Sequence, residues 1–194
     1  YLTDRVDFAT FSGHKFHAVR GVGFVYKKAG KKITPFLTGG GQEKDLRSTT
    51  ENVAGIASMA KALRLVTDKE EFSLPKIAKM KKIIFDELAK YEDITIFSGE
   101  GEDFAPNILT FGIKGVRGEV VVHAFEEHQI YISTTSACSS KAGKPAGTLI
   151  SMGIPTKLAQ TAVRISLDDD NDMGQVEQFL TIFKQVYAKT QKVR

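Results

Sequence analysis

The chain has 194 residues, 42% of them hydrophobic, and 27 Lys and Arg against 23 Asp and Glu give a formal net charge of +4. That length and apolar content support a packed core and exclude a disordered chain. The small positive excess is spread along the sequence without an aromatic-interleaved basic stripe, so nucleic-acid binding is not expected, and no apolar run reaches membrane-spanning length.

No secretory leader opens the chain, and a lone cysteine suits a reducing cytosol, so a cytoplasmic protein is expected. Tyr1-Leu2-Thr3-Asp4 runs almost at once into an apolar segment, which reads as a start inside a domain. Val6 to Phe11 alternates apolar and polar residues, a strand ending in Ser12-Gly13-His14-Lys15. Gly21 to Tyr26 reads as a second strand and Ile33 to Leu37 as a short third. The loop Thr38-Gly39-Gly40-Gly41-Gln42 follows, with backbone that a ligand or another chain can approach closely.

From Glu51 to Val66, apolar Val53, Ile56, Met59, Leu63 and Val66 recur at a helical period. The charged run Thr67 to Glu71 is the expected hinge, dividing the chain into 1–66 and 67–194. Beyond it Ile77, Met80, Ile84, Leu88 and Tyr91 mark a second helix. Ile94 to Phe97 and Ile108 to Phe111 read as strands around an acidic loop, Val120 to Glu127 as a helix, and Ile130 to Ile132 as a strand. After a polar loop, Ala162 to Leu167 is a strand with Ala162, Arg164 and Ser166 on one face and Val163, Ile165 and Leu167 on the other. The last helix begins near Asp172 and buries Met173, Val176, Phe179, Leu180, Phe183 and Tyr187. This alternation of strands and helices predicts an α/β fold.

Several residues offer chemistry, and each also has an ordinary structural role to weigh. Cys138 lies in Ser133-Thr134-Thr135-Ser136-Ala137-Cys138-Ser139-Ser140, not in the apolar run a structural cysteine favours. With no second cysteine it is either an accessible nucleophile or an inert surface thiol. Lys15, at the carboxyl end of a strand, is placed to form a Schiff base if desolvated; the commoner role is a solvated loop lysine. Ser12, Gly13 and His14 can cradle an anion or simply make a turn. Arg47-Ser48-Thr49-Thr50 precedes a helix, where it suits a phosphate and where Thr50 equally suits an N-cap.

Arg164 can clamp a carboxylate bidentately or stand as a solvated edge charge. His14 and His17 lack the further ligands of a metal site, so no metal is expected. His123 and His128 could pair with Cys138 as in a thiol hydrolase, but no third member accompanies them and a structural role is the better reading. The glycine loop lacks nucleotide-binding spacing.

The order of these motifs is far more specific than any one of them. Ser12-Gly13-His14-Lys15-Phe16-His17 with Gly21-Val22-Gly23 comes first, then Gly39-Gly40-Gly41-Gln42-Glu43, and Leu46-Arg47-Ser48 with Thr50-Glu51-Asn52. Pro106-Asn107-Ile108, Ser136-Ala137-Cys138-Ser139-Ser140 and Val163-Arg164-Ile165-Ser166-Leu167 follow. Across essentially its whole length the chain resembles the NifS/IscS-type cysteine desulfurases, pyridoxal-phosphate enzymes of the class V aminotransferase group.

The resemblance implies a fold-type-I transferase, with 1–66 as the end of the large cofactor domain and 67–194 as the small C-terminal α+β domain carrying the cysteine loop. It implies that Lys15 holds pyridoxal 5'-phosphate as a Schiff base and serves as the base at the substrate Cα. Ser12 and His14 would hold the cofactor phosphate, and Thr50 would reach the phosphate of a partner subunit, so a homodimer is implied. Arg164 would bind the carboxylate of L-cysteine. Cys138 would take the sulfur as a persulfide, leaving alanine, for an iron–sulfur scaffold or a tRNA-thiolation acceptor.

Two alternatives accompany this expectation. One is a related class V aminotransferase or selenocysteine lyase that uses Lys15 without a persulfide on Cys138. The other is a non-catalytic module that binds a sulfur-transfer partner. The chain also departs from the family pattern. Ala18-Val19-Arg20-Gly21 stands where Gly-Pro-Lys-Gly is usual, and Thr49 replaces a glycine, a concern if that position needs φ > 0. Family members are about twice as long, and the other half would carry the groups that stack on the pyridoxal ring and pair with its nitrogen. The isolated chain is therefore expected to be inactive.

Overall fold

Two short strands, β1 (Phe8–Ser12) and β2 (Gly23–Lys27), pair antiparallel with Phe11 opposite Phe24 and Ser12 opposite Gly23. The structure, a computed structural model, describes residues 2–101, 103–134 and 147–191. Both strands fall within about two residues of their expected places. The expected strand at Ile33 to Leu37 does not form. Pro35 removes a ladder donor in its middle, and Phe36 stands 97% exposed with no sheet to face.

A single helix, α1 (Val53–Leu88), replaces the two helices and intervening hinge of the sequence reading. The run Asp68-Lys69-Glu70-Glu71 holds no helix breaker, and its lysine and glutamates favour helix. Pro75 lies inside α1; without an N–H it leaves the Glu71 carbonyl without its helical donor. The packing of the chain divides between Glu71 and Phe72 into two units, described separately below. In the first unit the buried apolar side chains, among the described residues, are Ala18 and Ala62, both small. A two-stranded ribbon over so little interior is marginal in water.

The second unit is built on an antiparallel sheet of four strands, β3 (Ile94–Ile96), β4 (Ile108–Ile113), β5 (Ser133–Thr134) and β6 (Ala162–Ser166), in the order β3-β4-β6-β5. Helices α2 (Gly118–Glu126), α3 (Gly147–Ser151), α4 (Thr156–Ala159) and α5 (Met173–Gln191) complete it. The strand expected at Ile130 to Ile132 instead begins at Ser133, while Ile130 and Ile132 pack half-buried against the core.

Alternation along the strands decides which side chains meet. Leu109, Phe111 and Ile113 of β4, with Val163, Ile165 and Leu167 in and just after β6, form one continuous core. Onto it pack Ile77, Met80, Ile84 and Leu88 of α1, spaced at a helical period. Phe125 of α2 stacks on Phe179 of α5 with ring centroids 5.1 Å apart. Val176, Phe179, Phe183 and Val186 supply the buried stripe of α5, whereas Met173, expected inside, is exposed at the first turn. A smaller cluster of Leu149, Ala159 and Ala162 joins α3, α4 and β6. Ala162 and Ile165 thus serve different clusters, as the alternation of β6 requires.

Glu87 ties the end of α1 to α5. Its carboxylate accepts from Lys90 at 2.5 Å and pairs with Lys184 at 3.3 Å, and the Tyr91 hydroxyl approaches at 3.5 Å. The Lys90 hydrogen bond, with help from Lys184, outweighs burial and holds the Glu87 carboxyl below its ordinary value of 4.5. A depressed carboxyl stabilises the fold above its unfolded value, and that contribution fades as pH falls through the lower folded value. Glu87→Gln is expected to lower the urea midpoint near neutral pH and to flatten its decline below about pH 4.5. An acid limb identical to wild type removes Glu87 from that balance.

Gly112 of β4 faces Thr161, and an added Cβ would run into the Thr161 Oγ1. Thr161 is held there by donating to the Leu158 carbonyl at 2.7 Å. Gly112→Ala is expected to destabilise the second unit by about 1–3 kcal/mol, with part of the loss recovered by adding Thr161→Ala. Urea unfolding of the single and double variants measures both effects.

Candidate functional site

Two glycines bring β1 and β2 close enough to shape the turn that follows. At Gly23 a Cβ would meet the Phe11 carbonyl oxygen, and at Gly13 it would sit 2.9 Å from the Val22 carbonyl oxygen. The Gly13 N–H instead donates to that Val22 oxygen at 2.9 Å. Phe11 and Phe24 stack across the ribbon with centroids 4.5 Å apart, and Phe16 packs edge-on against Phe24 at 6.4 Å. These contacts fix a 3-10 turn over Gly13–Phe16 immediately after β1. His17 closes it in the left-handed region at φ 70°, and its N–H and that of Ala18 converge on the Gly13 carbonyl.

The turn carries Ser12, His14 and Lys15, and all three are exposed. Ser12 makes no side-chain cap bond. Among the described residues, nothing engages the Ser12 hydroxyl, the His14 imidazole or the Lys15 amine. A hydroxyl, an imidazole and a primary amine within four residues fit a ligand that has both a phosphate and an aldehyde.

Thr50 lies in the same unit, just before α1, and is exposed. The N-cap role open to it from sequence belongs instead to Asn52, whose Oδ1 accepts from the Gly55 N–H at 3.0 Å. That geometry needs Gly55, because a Cβ there would press on the Asn52 amide. The Thr50 hydroxyl is thus not used in capping. Thr49 does not take a positive φ, so the position does not require the usual glycine. Further back, Val19 donates its N–H to Ser58 Oγ at 3.2 Å, linking the segment after the turn to α1.

The glycine loop holds a feature that motif reading passed over. Glu43, Lys44 and Asp45 take φ of 51°, 57° and 62°, a left-handed turn closed by the Asp45 N–H on the Gly41 carbonyl at 3.1 Å. Such conformations cost on the order of 1–2 kcal/mol per residue. Beside them the Gln42 Oε1 is buried without a hydrogen-bond partner among the described residues. Gly40 makes room for it: a Cβ there would come within 3.0 Å of the same oxygen. Its only advance sign was a polar amide directly after three glycines.

In the second unit Arg164 stands on β6 opposite Thr110 of β4 and Ser133 of β5. Its Nε is buried and has no hydrogen-bond partner among the described residues. A half-buried guanidinium with an unspent donor has the chemistry to take a carboxylate. Cys138 lies within residues 135–146, which fall outside the described residues. His123 bonds Glu126 at 2.8 Å on the exposed face of α2, and His128 is exposed just beyond that helix.

The aminotransferase class-V family model matches residues 4–179. A NifS/IcsS protein homolog of Lactobacillus delbrueckii subsp. bulgaricus is 47% identical over 192 residues, covering 99% of this chain and 50% of that protein. A cysteine desulfurase IscS of Dictyoglomus turgidum is 33% identical over 84% of this chain and 41% of its own length. The X-ray structure of a NifS-like protein from Rickettsia africae superposes with a TM-score of 0.82 at 32% identity, over 94% of this chain and 48% of that one. The chain spans about half the length of the curated relatives it matches, and its fold is that of these fold-type-I proteins.

Gly23→Ala tests how the turn is held. The added Cβ is expected to part the ribbon and to speed amide exchange at Phe11 and Gly13 by about tenfold. Gly30→Asn, in open space at φ +78°, leaves both amides unchanged.

Proposed function

Because the chain belongs to the class-V aminotransferase family, with NifS- and IscS-like proteins among its relatives, we propose that its residues serve a pyridoxal-phosphate-dependent cysteine desulfurase. The observation that carries this proposal is the turn after β1, where the hydroxyl of Ser12, the imidazole of His14 and the amine of Lys15 stand together without partners among the described residues. Ser12 and His14 bind the cofactor phosphate, and the Lys15 amine anchors the aldehyde carbon. When bound, pyridoxal phosphate supplies an electron sink for the pair left at the substrate Cα.

Lys15, once released, moves the proton at Cα. Arg164 orients L-cysteine through its carboxylate, which the unspent Nε favours. Cys138 attacks the substrate sulfur as a thiolate. An S–S bond forms, the substrate C–S bond breaks, and the pair left on Cβ is protonated. The balance is L-cysteine plus the Cys138 thiol giving L-alanine plus the Cys138 persulfide, with no outside oxidant.

The persulfide sulfur then passes to an acceptor, an iron–sulfur scaffold or a tRNA-thiolation enzyme. Thr50, free of capping duty, serves the phosphate of a partner subunit in a cytoplasmic homodimer. The domain division proposed from sequence, 1–66 and 67–194, assigns Lys15 to the cofactor domain and Cys138 with Arg164 to the small domain. The 194 residues alone are proposed to be inactive, since the relatives are about twice as long.

A full-length chain carrying this sequence provides the test. With L-cysteine and a reductant it is expected to release sulfide and alanine. Cys138→Ala drops sulfide to background while the cofactor absorbance persists, and Lys15→Ala abolishes the borohydride-reducible chromophore. Sulfide release unaffected by Cys138→Ala overturns the persulfide step and favours a lyase or aminotransferase that does not need it.

A further inference from the structure

The second unit buries a cation beside an apolar cleft. Lys81 follows the core residue Met80 on α1 and is only 6% exposed. Its Nζ donates to the carbonyls of Gly99 at 3.2 Å and Ala105 at 2.9 Å, at the two ends of the loop between β3 and β4. Both acceptors are neutral. The Glu100 carboxylate bonds Lys82 at 3.2 Å, and Lys82 also takes Asp86 at 3.0 Å. Among the described residues Lys81 therefore has no ion-pair partner. Burial pulls its amine below the ordinary value of 10.5 against the attraction of Glu100. A buried ammonium held by neutral oxygens is short of counter-charge.

The space next to it has ligand size. The open cleft has a volume of about 590 Å³, with Leu74, Pro75, Phe85 and Phe104 among its walls and Lys81, Lys82 and Glu100 as its charged groups, the Glu100 carboxylate being taken by Lys82. That volume and composition are typical of small-molecule sites. Phe104 forms one wall: its ring lies over Gly99, where an added Cβ would meet it, and its N–H donates to the Gly101 carbonyl at 3.2 Å.

We propose that this cleft binds a small amphipathic carboxylate, with its chain against Leu74, Phe85 and Phe104 and its head on the Lys81 ammonium. An ammonium has three N–H donors and two are spent on carbonyls, so the third is available to the carboxylate. The ligand supplies the missing counter-charge while its chain removes the cleft walls from water. The proposal involves neither Lys15 nor Arg164 and stands independently of the desulfurase proposal.

Decanoate is the probe, titrated into the 194-residue chain and followed by the NMR shifts of Leu74, Ala78 and Phe104. Saturable shifts confined to the cleft are expected, with decanoate about tenfold tighter than decanol. Lys81→Met is expected to remove that preference. Because losing Lys81 can also loosen the loop, Ala78→Phe at an exposed wall position provides the second variant. It is expected to abolish binding while the thermal midpoint holds. Equal binding of decanol and decanoate, wild-type binding by Ala78→Phe, or no shift at millimolar decanoate each overturns the proposal.

Discussion

The pairing of β4 with β6 at the middle of the four-stranded sheet is the constraint on which the second unit depends. Phe111 faces Val163 and Leu109 faces Ile165 across the ladder, so both strands commit their odd-numbered side chains to one core. Period-two alternation then leaves the even-numbered positions no choice of face. Gly112 lies opposite Ala162, and these small residues let Thr161, α3 and α4 close over that side. Arg164 falls in the same row, opposite Thr110. Its position is thus a by-product of how Val163 and Ile165 must point. A one-residue slip would exchange the arginine with a core isoleucine or valine, which is why its placement is as secure as the core itself.

The first unit is held by other means. With Ala18 and Ala62 its only buried apolar side chains among the described residues, it has no interior to impose a register. What shapes the Lys15 turn is backbone contact: Gly13 and Gly23 allow main chains to meet where any side chain would part them. The Phe11–Phe24 stack then locks the pairing from one side. Such contacts define a local conformation without supplying much free energy. Exposed Phe8, Phe36 and Val53 leave this unit with apolar surface that its own small interior does not cover.

Much of this was legible in sequence because one residue type recurs at one period. Val163, Ile165 and Leu167 announce the inner face of β6, and Val176, Phe179 and Phe183 the stripe of α5. The motif order pointed to the right family for a different reason: glycines and small polar residues at fixed spacings record backbone geometry that few folds need. The continuous helix is missed because the charged run Thr67 to Glu71 reads as a hinge, although Lys69, Glu70 and Glu71 favour helix. Thr50 and Asn52 are both plausible caps by type, and only the Gly55 N–H decides between them. The orphan Gln42 oxygen and the buried Lys81 have no periodic signature. Each depends on a neighbour distant in sequence or on a turn whose φ values no pattern shows.

Arg164 and Lys81 answer the same problem, a cation brought into the second unit, in chemically different ways. Arg164 has an Nε donor with no acceptor among the described residues, a donor that an incoming group can use. Lys81 satisfies two donors internally, and burial pulls its amine below the ordinary value. Its selectivity must come from the apolar walls beside it and from charge. The two also serve different sides of the sheet: α1 packs on the face of Phe111 and Val163, whereas Arg164 alternates away from it. A ligand held by one need not compete with a ligand held by the other. The small unit thus presents Arg164 on one face and the Lys81 cleft on the other, with the β4–β6 ladder holding both in register.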